Sequence, residues 1–329
     1  MRPELSIVIP LFRCEEGLPA LFQALAAISI PEPFEVVFVN DGSPDRTSEV
    51  CRELLGRAPF SACLVDLTRN FGEHNAVLAG YRQARGSWIV NIDDDLQNPP
   101  DEAVRLFRFA REHGFDAVYS YYETKQHSLW RNLGSRLANV VGDLLLDKPR
   151  GLYLSSFRCV TAAVAQEVCR YDGPFAYIDG LITQVTQRIG RLEVRHEARR
   201  VGRSTYGVRK LVQLWLNILF NFSILPLRMA IVLGLVTAVV GLSMLVAVIV
   251  ERMTSGTPLG WGSLMAAITV FAGVQLIVLG GVGEYVGRLF LTVNRRPQSV
   301  VREVIVHEPK ASGASQAAAA TGEGLEARR

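Results

Sequence analysis

Residues 88–100 read WIVNIDDDLQNPP. The run Trp88–Ile92 predicts a short buried strand. Asp93, Asp94 and Asp95 stand at its end, and Pro99 and Pro100 open a helix expected over Asp101–His113. Strand, acidic end and helix make half of a βαβ unit, and the same alternation runs outward on both sides. Further strands are expected at Leu5–Pro10, Phe34–Val39, Ala62–Leu67 and Ala117–Tyr122, with helices at Glu16–Ala27, Asp45–Arg57 and Glu73–Ala84 between them. Such alternation predicts an α/β domain with a mostly parallel sheet. Ligands of such sheets bind beyond the carboxyl ends of the strands. Three of those ends carry polar clusters, Pro10–Glu16, Asn40–Asp45 and Asp93–Gln97, which are expected to converge on one crevice.

Each cluster suggests chemistry. Residues two apart on a strand face the same way, so Asp93 and Asp95 are expected to point together while Asp94 points off. Paired carboxylates attract a hard divalent cation, which takes oxygen ligands and keeps substrate phosphates in its shell. A nucleotide diphosphate meets that demand, and the metal would neutralise it as a leaving group; a solvated acidic turn is the competing reading. In NDGSPD, 40–45, Asp41 is placed to accept hydrogen bonds from a base or ribose, Gly42 permits a tight turn, and Ser43 or Asp45 can cap the next helix. In RNFGEH, 69–74, a helix start and Arg69 favour an anion, while a lone His74 is more often structural. Arg131 and Ser135 lie four apart and share a helical face if that stretch is helical. Arg200, Arg203 and Ser204 precede an amphipathic stretch, at the height of a lipid phosphate, which arginine forks bind well. A basic patch meeting anionic lipid head groups reads the same residues differently, and both can hold.

The remainder of the chain points to a membrane. The 329 residues are 49% hydrophobic, with the excess after residue 210. A net charge of +3 does not argue for a nucleic-acid partner, and none is expected. Five cysteines, widely spaced and without C-x-x-C, are expected as reduced thiols. No signal peptide opens the sequence, so the first domain is expected in the cytoplasm. Leu211, Trp215, Ile218, Leu219 and Phe222 recur at helical spacing beside a basic cluster, which predicts an interfacial helix. Met229–Val250 is uncharged over 22 residues, enough at about 1.5 Å each to cross about 30 Å of hydrocarbon, and Leu264–Val282 can cross again. Arg209, Lys210 and Arg228 flank the first span and Arg288, Arg295, Arg296 and Arg302 follow the second, so both flanks are expected inside. The expected divisions are a catalytic domain at 1–205, an interfacial helix region at 206–228, a two-helix transmembrane hairpin at 229–283, a cytoplasmic segment at 284–309 and a disordered tail at 310–329.

Taken in order, P-L-F-x-x-E-E, N-D-G-S-P-D-R-T, R-N-F-G-E-H, D-D-D-L-Q-N-P-P and R-x-x-G-x-S-x-Y resemble glycosyltransferase family 2, in the polyprenyl-phosphate branch of dolichyl-phosphate mannose synthase and the bacterial undecaprenyl-phosphate sugar transferases. Residues 125–136 look most like the aminoarabinose-type members. The resemblance covers roughly residues 5–290. It implies a GT-A fold and inverting transfer from a nucleotide-sugar, with a UDP-sugar expected, to polyprenyl phosphate. Pro10, Phe12 and Asp41 would hold base and ribose, with Arg69 and Asp94 completing the nucleotide site. Asp93, Asp95 and Gln97 would hold Mg²⁺ or Mn²⁺ and the diphosphate. Arg131, Ser135, Arg200, Arg203 and Ser204 would receive the lipid phosphate. Two spans imply a homotetramer in the bacterial inner membrane. The family's Tyr-Asn-Glu stands here as Phe12, Arg13 and Cys14, which removes one acid, and Glu15 or Glu16 is expected to substitute. Residues 151–158 also differ from the aminoarabinose enzymes and are expected near the sugar, so the identity of that sugar does not carry over. A processive polysaccharide synthase is disfavoured by two spans and the lack of a Q-x-x-R-W run. A non-catalytic membrane scaffold would be expected to have lost the acids.

Overall fold

The computed structural model describes residues 2–122, 154–173, 176–195, 197, 225–255, 261–294 and 297–309. Four parallel strands form the centre of the sheet: β1 (Leu5–Leu11), β2 (Phe34–Asn40), β3 (Ser61–Leu67) and β4 (Trp88–Asn91). β5 (Ala117–Tyr121) and β7 (Ile189–Glu193) are parallel to each other. β6 (Arg158–Thr161) runs antiparallel between β4 and β5. β8 (Val301–His307) runs antiparallel along β3 and gives the order β7-β5-β6-β4-β1-β2-β3-β8. The strands are near-continuous apolar runs because both faces are covered. One face carries α1 (Leu18–Ala26), α2 (Thr47–Leu55) and α4 (Pro100–His113), packed through Leu21, Phe22, Leu55, Leu106 and Phe107 onto Ile7, Ile9 and Phe38. The other carries α3 (Glu73–Gln83), α5 (Ala162–Cys169) and α6 (Ile178–Val185), packed through Val77, Leu78, Val164 and Ile182 onto Val8, Val37 and Tyr119. The five cysteines are free thiols.

β1 lies between β2 and β4, so the chain winds away from it in both directions. The carboxyl ends of β1 and β4 therefore flank the topological switch point, where open sheets of this kind bind ligands. Close approach there depends on Gly42, at φ +57°. A Cβ on Gly42 would sit 2.2 Å from the carbonyl carbon of Arg69, so glycine lets the loop after β3 fold over the loop after β2.

Two long helices follow, α7 (Leu225–Ser255) and α8 (Trp261–Val293). Their apolar windows, Leu227–Met244 and Val270–Val293, are not buried against protein and are long and apolar enough to cross a membrane. The helices run antiparallel: Gly241 faces the Phe271 ring, and Tyr285 meets the backbone of Leu227. After α8 the chain returns to the sheet. Gln298 donates to the Tyr171 and Gly173 carbonyls at 2.6 and 2.9 Å and accepts from Arg82 at 2.7 Å, and β8 then pairs with β3.

The strands read from the sequence are present, with ends shifted by a residue or two. The first helix starts at Leu18 rather than Glu16, because the Cys14 carbonyl accepts from both Gly17 and Leu18 in a turn ahead of it. Within residues 284–309, β8 is an addition that the segment reading did not contain.

Candidate active site

The three polar clusters meet at the carboxyl edge of β1, β2 and β4. Phe12 follows β1 with its ring 43% exposed, and the Arg13 guanidinium lies 5.4 Å from the ring centroid. Asp41 follows β2 and is 3% exposed. Its two oxygens accept from the backbone of Phe71 at 2.7 Å and of Gly72 at 2.9 Å, which fixes the loop ahead of α3. Burial pushes the Asp41 carboxyl up, against the two backbone donors and the Arg69 charge. The Arg69 guanidinium stacks 4.3 Å from the Phe71 ring centroid. Asn40 holds the same corner, donating to buried Asp66 at 2.6 Å and accepting from Ser43 N–H at 3.3 Å.

The acids that follow β4 lie beyond the end of the strand. β4 ends at Asn91, and a turn follows in which Leu96 adopts φ +56°. The three acids stand in that turn rather than on the strand, and their hydrogen-bond partners differ. Asp93 Oδ2 accepts from the Ser156 hydroxyl at 2.7 Å, toward β6. Asp95 Oδ1 accepts from Gln97 N–H at 3.1 Å within the turn. Asp94 points back to the loop after β1 and accepts from Phe12 N–H and the Cys14 thiol. Burial, then repulsion from Asp93 and Asp95, raises its carboxyl to about 6. Burial and Asp94 push the Cys14 thiol far up, so it stays a protonated donor. Asp94 thus occupies the corner where Glu15 or Glu16 was expected to supply an acid. Glu15 instead accepts from Arg46 N–H at 2.8 Å, at the start of α2. Pro10 is the penultimate residue of β1 and is half-buried.

Gln97 marks the other rim. Its carbonyl accepts from Glu197 N–H at 2.8 Å, so the chain leaving β7 passes beside the acidic turn. Arg195 strengthens that junction with ion pairs to Asp101 and Glu102 at the start of α4. Arg131, Ser135, Arg200, Arg203 and Ser204 lie outside the described residues.

Residues 6–174 match the family model described as glycosyl transferase family 2. That is just over half of the chain, and the match includes Asp41, Asp93, Asp94 and Asp95. The chain belongs to glycosyl transferase family 2. It is a glycosyltransferase by that membership, with the α/β sheet of the GT-A type. Two curated family members cover nearly its whole length. The undecaprenyl-phosphate 4-deoxy-4-formamido-L-arabinose transferase of Serratia proteamaculans is 31% identical over 93% of this chain and 95% of that protein. The protein of the same name from Edwardsiella ictaluri is 32% identical over 91% and 94%. A solved structure of S. aureus TarS 1–349 in complex with UDP-GlcNAc is 20% identical, with a TM-score of 0.47 over 67% of each chain.

Tyr122 was not singled out from sequence as a site residue, and Ser156 was read only as part of the stretch 151–158 expected near the sugar. Ser156 bonds Asp93, and Tyr122 donates to buried Asn98 at 2.8 Å beside the acidic turn. No periodicity marks such residues, because their partners are far away in the chain. His74 is structural here. Its ring packs edge-on against Tyr177 at 5.2 Å, and burial lowers its pKa to about 4, with Asp179 opposing and Arg158 reinforcing. A depressed histidine keeps the folded state neutral while the unfolded chain takes up a proton. Stability is therefore expected to fall as pH drops from 6.5 to about 4. His74→Phe is expected to flatten that part of the profile, read from melting temperature against pH.

Proposed function

We propose that this family 2 enzyme moves a sugar from a nucleotide-sugar, UDP-linked, onto polyprenyl phosphate of the undecaprenyl type at the bacterial inner membrane. The contact from Glu197 to Gln97 carries the reading: the segment that continues to Arg200, Arg203 and Ser204 departs from beside the acidic turn. On this reading a donor site and an entry for an anionic acceptor would adjoin. The names of the family members that cover nearly the whole chain support the same acceptor class.

On this reading Phe12 offers a face for the base, and the Asp41 corner shapes the ribose site. Asp93, Asp95 and Gln97 would hold Mg²⁺ or Mn²⁺. Their donors are all hard oxygens, which suits either ion. Among the described residues no three His, Cys, Asp or Glu side chains form a cage. An ion that binds one or two carboxylates and completes its shell with diphosphate oxygens does not require one. When bound, it would neutralise charge on the departing diphosphate. Arg131, Ser135, Arg200, Arg203 and Ser204 would orient the acceptor phosphate. That phosphate is largely ionised at neutral pH, with a second pKa of about 6, and needs no strong base. Its oxygen bonds to the anomeric carbon as the bond from that carbon to the diphosphate breaks. In-line displacement inverts the centre, and positioning supplies much of the rate.

α7 and α8 would form the membrane hairpin, after an interfacial helix within 206–228. Because β8 pairs with β3, the chain before α7 and the chain after α8 belong to one domain. Two crossings satisfy that arrangement, and the arginines on both flanks favour the inside for that domain.

The test is direct. Membranes holding the protein, supplied with undecaprenyl phosphate, Mn²⁺ and a panel of UDP-, GDP- and dTDP-sugars, are expected to make a glycolipid with one UDP-sugar and to stop in chelator. Arg203→Ala is expected to raise the KM for the lipid about tenfold or more, the loss of a charged hydrogen bond of about 1.5–3 kcal/mol, with the donor KM little changed. An unchanged lipid KM would remove Arg203 from the acceptor site.

A further inference from the structure

We infer that Ser156 is a positioning residue that fixes the Asp93 carboxylate for the divalent cation; the inference rests on the metal role proposed for Asp93 and Asp95. The Ser156 hydroxyl donates to Asp93 Oδ2 at 2.7 Å, an ordinary length for a hydroxyl donating to a carboxylate. A serine on a loose loop would place no constraint on its partner, but this one stands on a braced turn. Its neighbour Ser155 is buried, exchanges a hydrogen bond with Ser120 at 3.0 Å and accepts from Phe157 N–H at 3.2 Å. The Phe157 carbonyl accepts from Ser120 N–H at 3.1 Å, tying the turn to β5. Two residues beyond Ser156, the buried Arg158 guanidinium is paired with Asp179, and Arg158 sits opposite Asn91 at the end of β4. The hydroxyl is therefore held in place relative to both strands that flank it. Asp93, two residues past the end of β4, gains a fixed carboxylate plane from that donor. Carboxylates that ligate metals are themselves hydrogen-bonded, and loss of such an outer partner weakens the metal by about 10–100-fold.

Ser156 is uncharged, so replacing it leaves the charge of the site unaltered. The experiment measures Mn²⁺ binding to the detergent-solubilised full chain in the presence of UDP, by the paramagnetic resonance signal of free Mn²⁺. Ser156→Ala is expected to weaken Mn²⁺ about tenfold, while UDP affinity without metal and the melting temperature stay close to those of the parent. Ser156→Thr keeps the hydroxyl and is expected to restore most of the loss. Parent-like Mn²⁺ affinity in Ser156→Ala overturns the assignment, and so does equal loss in the Ala and Thr variants, since then the hydroxyl is not what matters. Asp95→Asn, measured alongside, separates the two layers. If it loses Mn²⁺ while Ser156→Ala does not, only the role of Ser156 falls. If Asp95→Asn also binds Mn²⁺ as the parent does, the metal reading beneath it falls.

Discussion

Asp95→Asn is expected to lower sugar transfer by about 100- to 1,000-fold, the scale for removing one preorganised electrostatic contact to the charge that develops in the transition state. The substitution is nearly isosteric and removes one negative charge. Its structural cost should be small, because the contact that Asp95 makes inside the turn is acceptance of the Gln97 N–H at Oδ1, which an asparagine oxygen reproduces. The turn with Leu96 at φ +56° is thereby kept, and the melting temperature is expected to stay near that of the parent. The same change at Asp94 should act differently. That carboxylate faces Phe12 and Cys14 rather than the position expected for the diphosphate, so Asp94→Asn is expected to perturb nucleotide affinity more than turnover. Transfer of labelled sugar into a butanol-extractable lipid measures the first effect, and circular dichroism melting checks the fold. Full activity in Asp95→Asn, with or without added Mn²⁺, would remove the acidic turn from the chemistry.

How much of this was readable beforehand depended on whether a feature is local. β1, β2, β3, β4 and β5 are short apolar runs between polar punctuation, and burial on both faces makes them legible from sequence alone. β8 was not. Its VREVIVH pattern is strand-like, but only pairing with β3 makes it a strand, across more than two hundred residues and two apolar helices. The three acids stand in a turn after β4 and not on the strand, so strand alternation does not by itself fix where they point. The acid at the Cys14 corner was sought in the neighbouring Glu15 and Glu16, whereas the structure brings Asp94 there from another loop. Tertiary proximity of that kind leaves no periodic trace. Arg158 shows the same limit. It ends a stretch expected to lie near the sugar, yet its side chain is buried beneath the crevice, 2% exposed, and paired with Asp179.

That pair carries the largest expected effect on stability: Asp179→Ala is expected to cost about 3–5 kcal/mol, the penalty for leaving a buried charge without its partner. Asp179 is 5% exposed, and burial works against the Arg158 charge until the Asp179 carboxylate outweighs it and keeps the guanidinium protonated. Other acceptors beside the guanidinium are neutral: the Ser155 carbonyl at 3.5 Å and the Tyr81 and Tyr119 hydroxyls. Tyr81 donates to Asn91 Oδ1 at 2.5 Å, and among the described residues Arg158 Nε and Asn91 Nδ2 are buried without a hydrogen-bond partner. Removal of Asp179 would thus leave a buried cation with only neutral partners. The mechanism predicts its own control. Replacing both members with apolar residues of similar volume, Arg158→Met with Asp179→Leu, removes the desolvation penalty together with the attraction, and should recover most of the loss. Chemical denaturation of the detergent-solubilised protein, followed by near-ultraviolet circular dichroism, resolves the two variants from the parent. If Asp179→Ala were as stable as the parent, the pair would not hold β6 to α6. If the double variant regained stability but still bound Mn²⁺ weakly, the pair's role would be to brace the turn bearing Ser156, because packing alone would have restored the core while leaving the acid at the end of β4 loosely held.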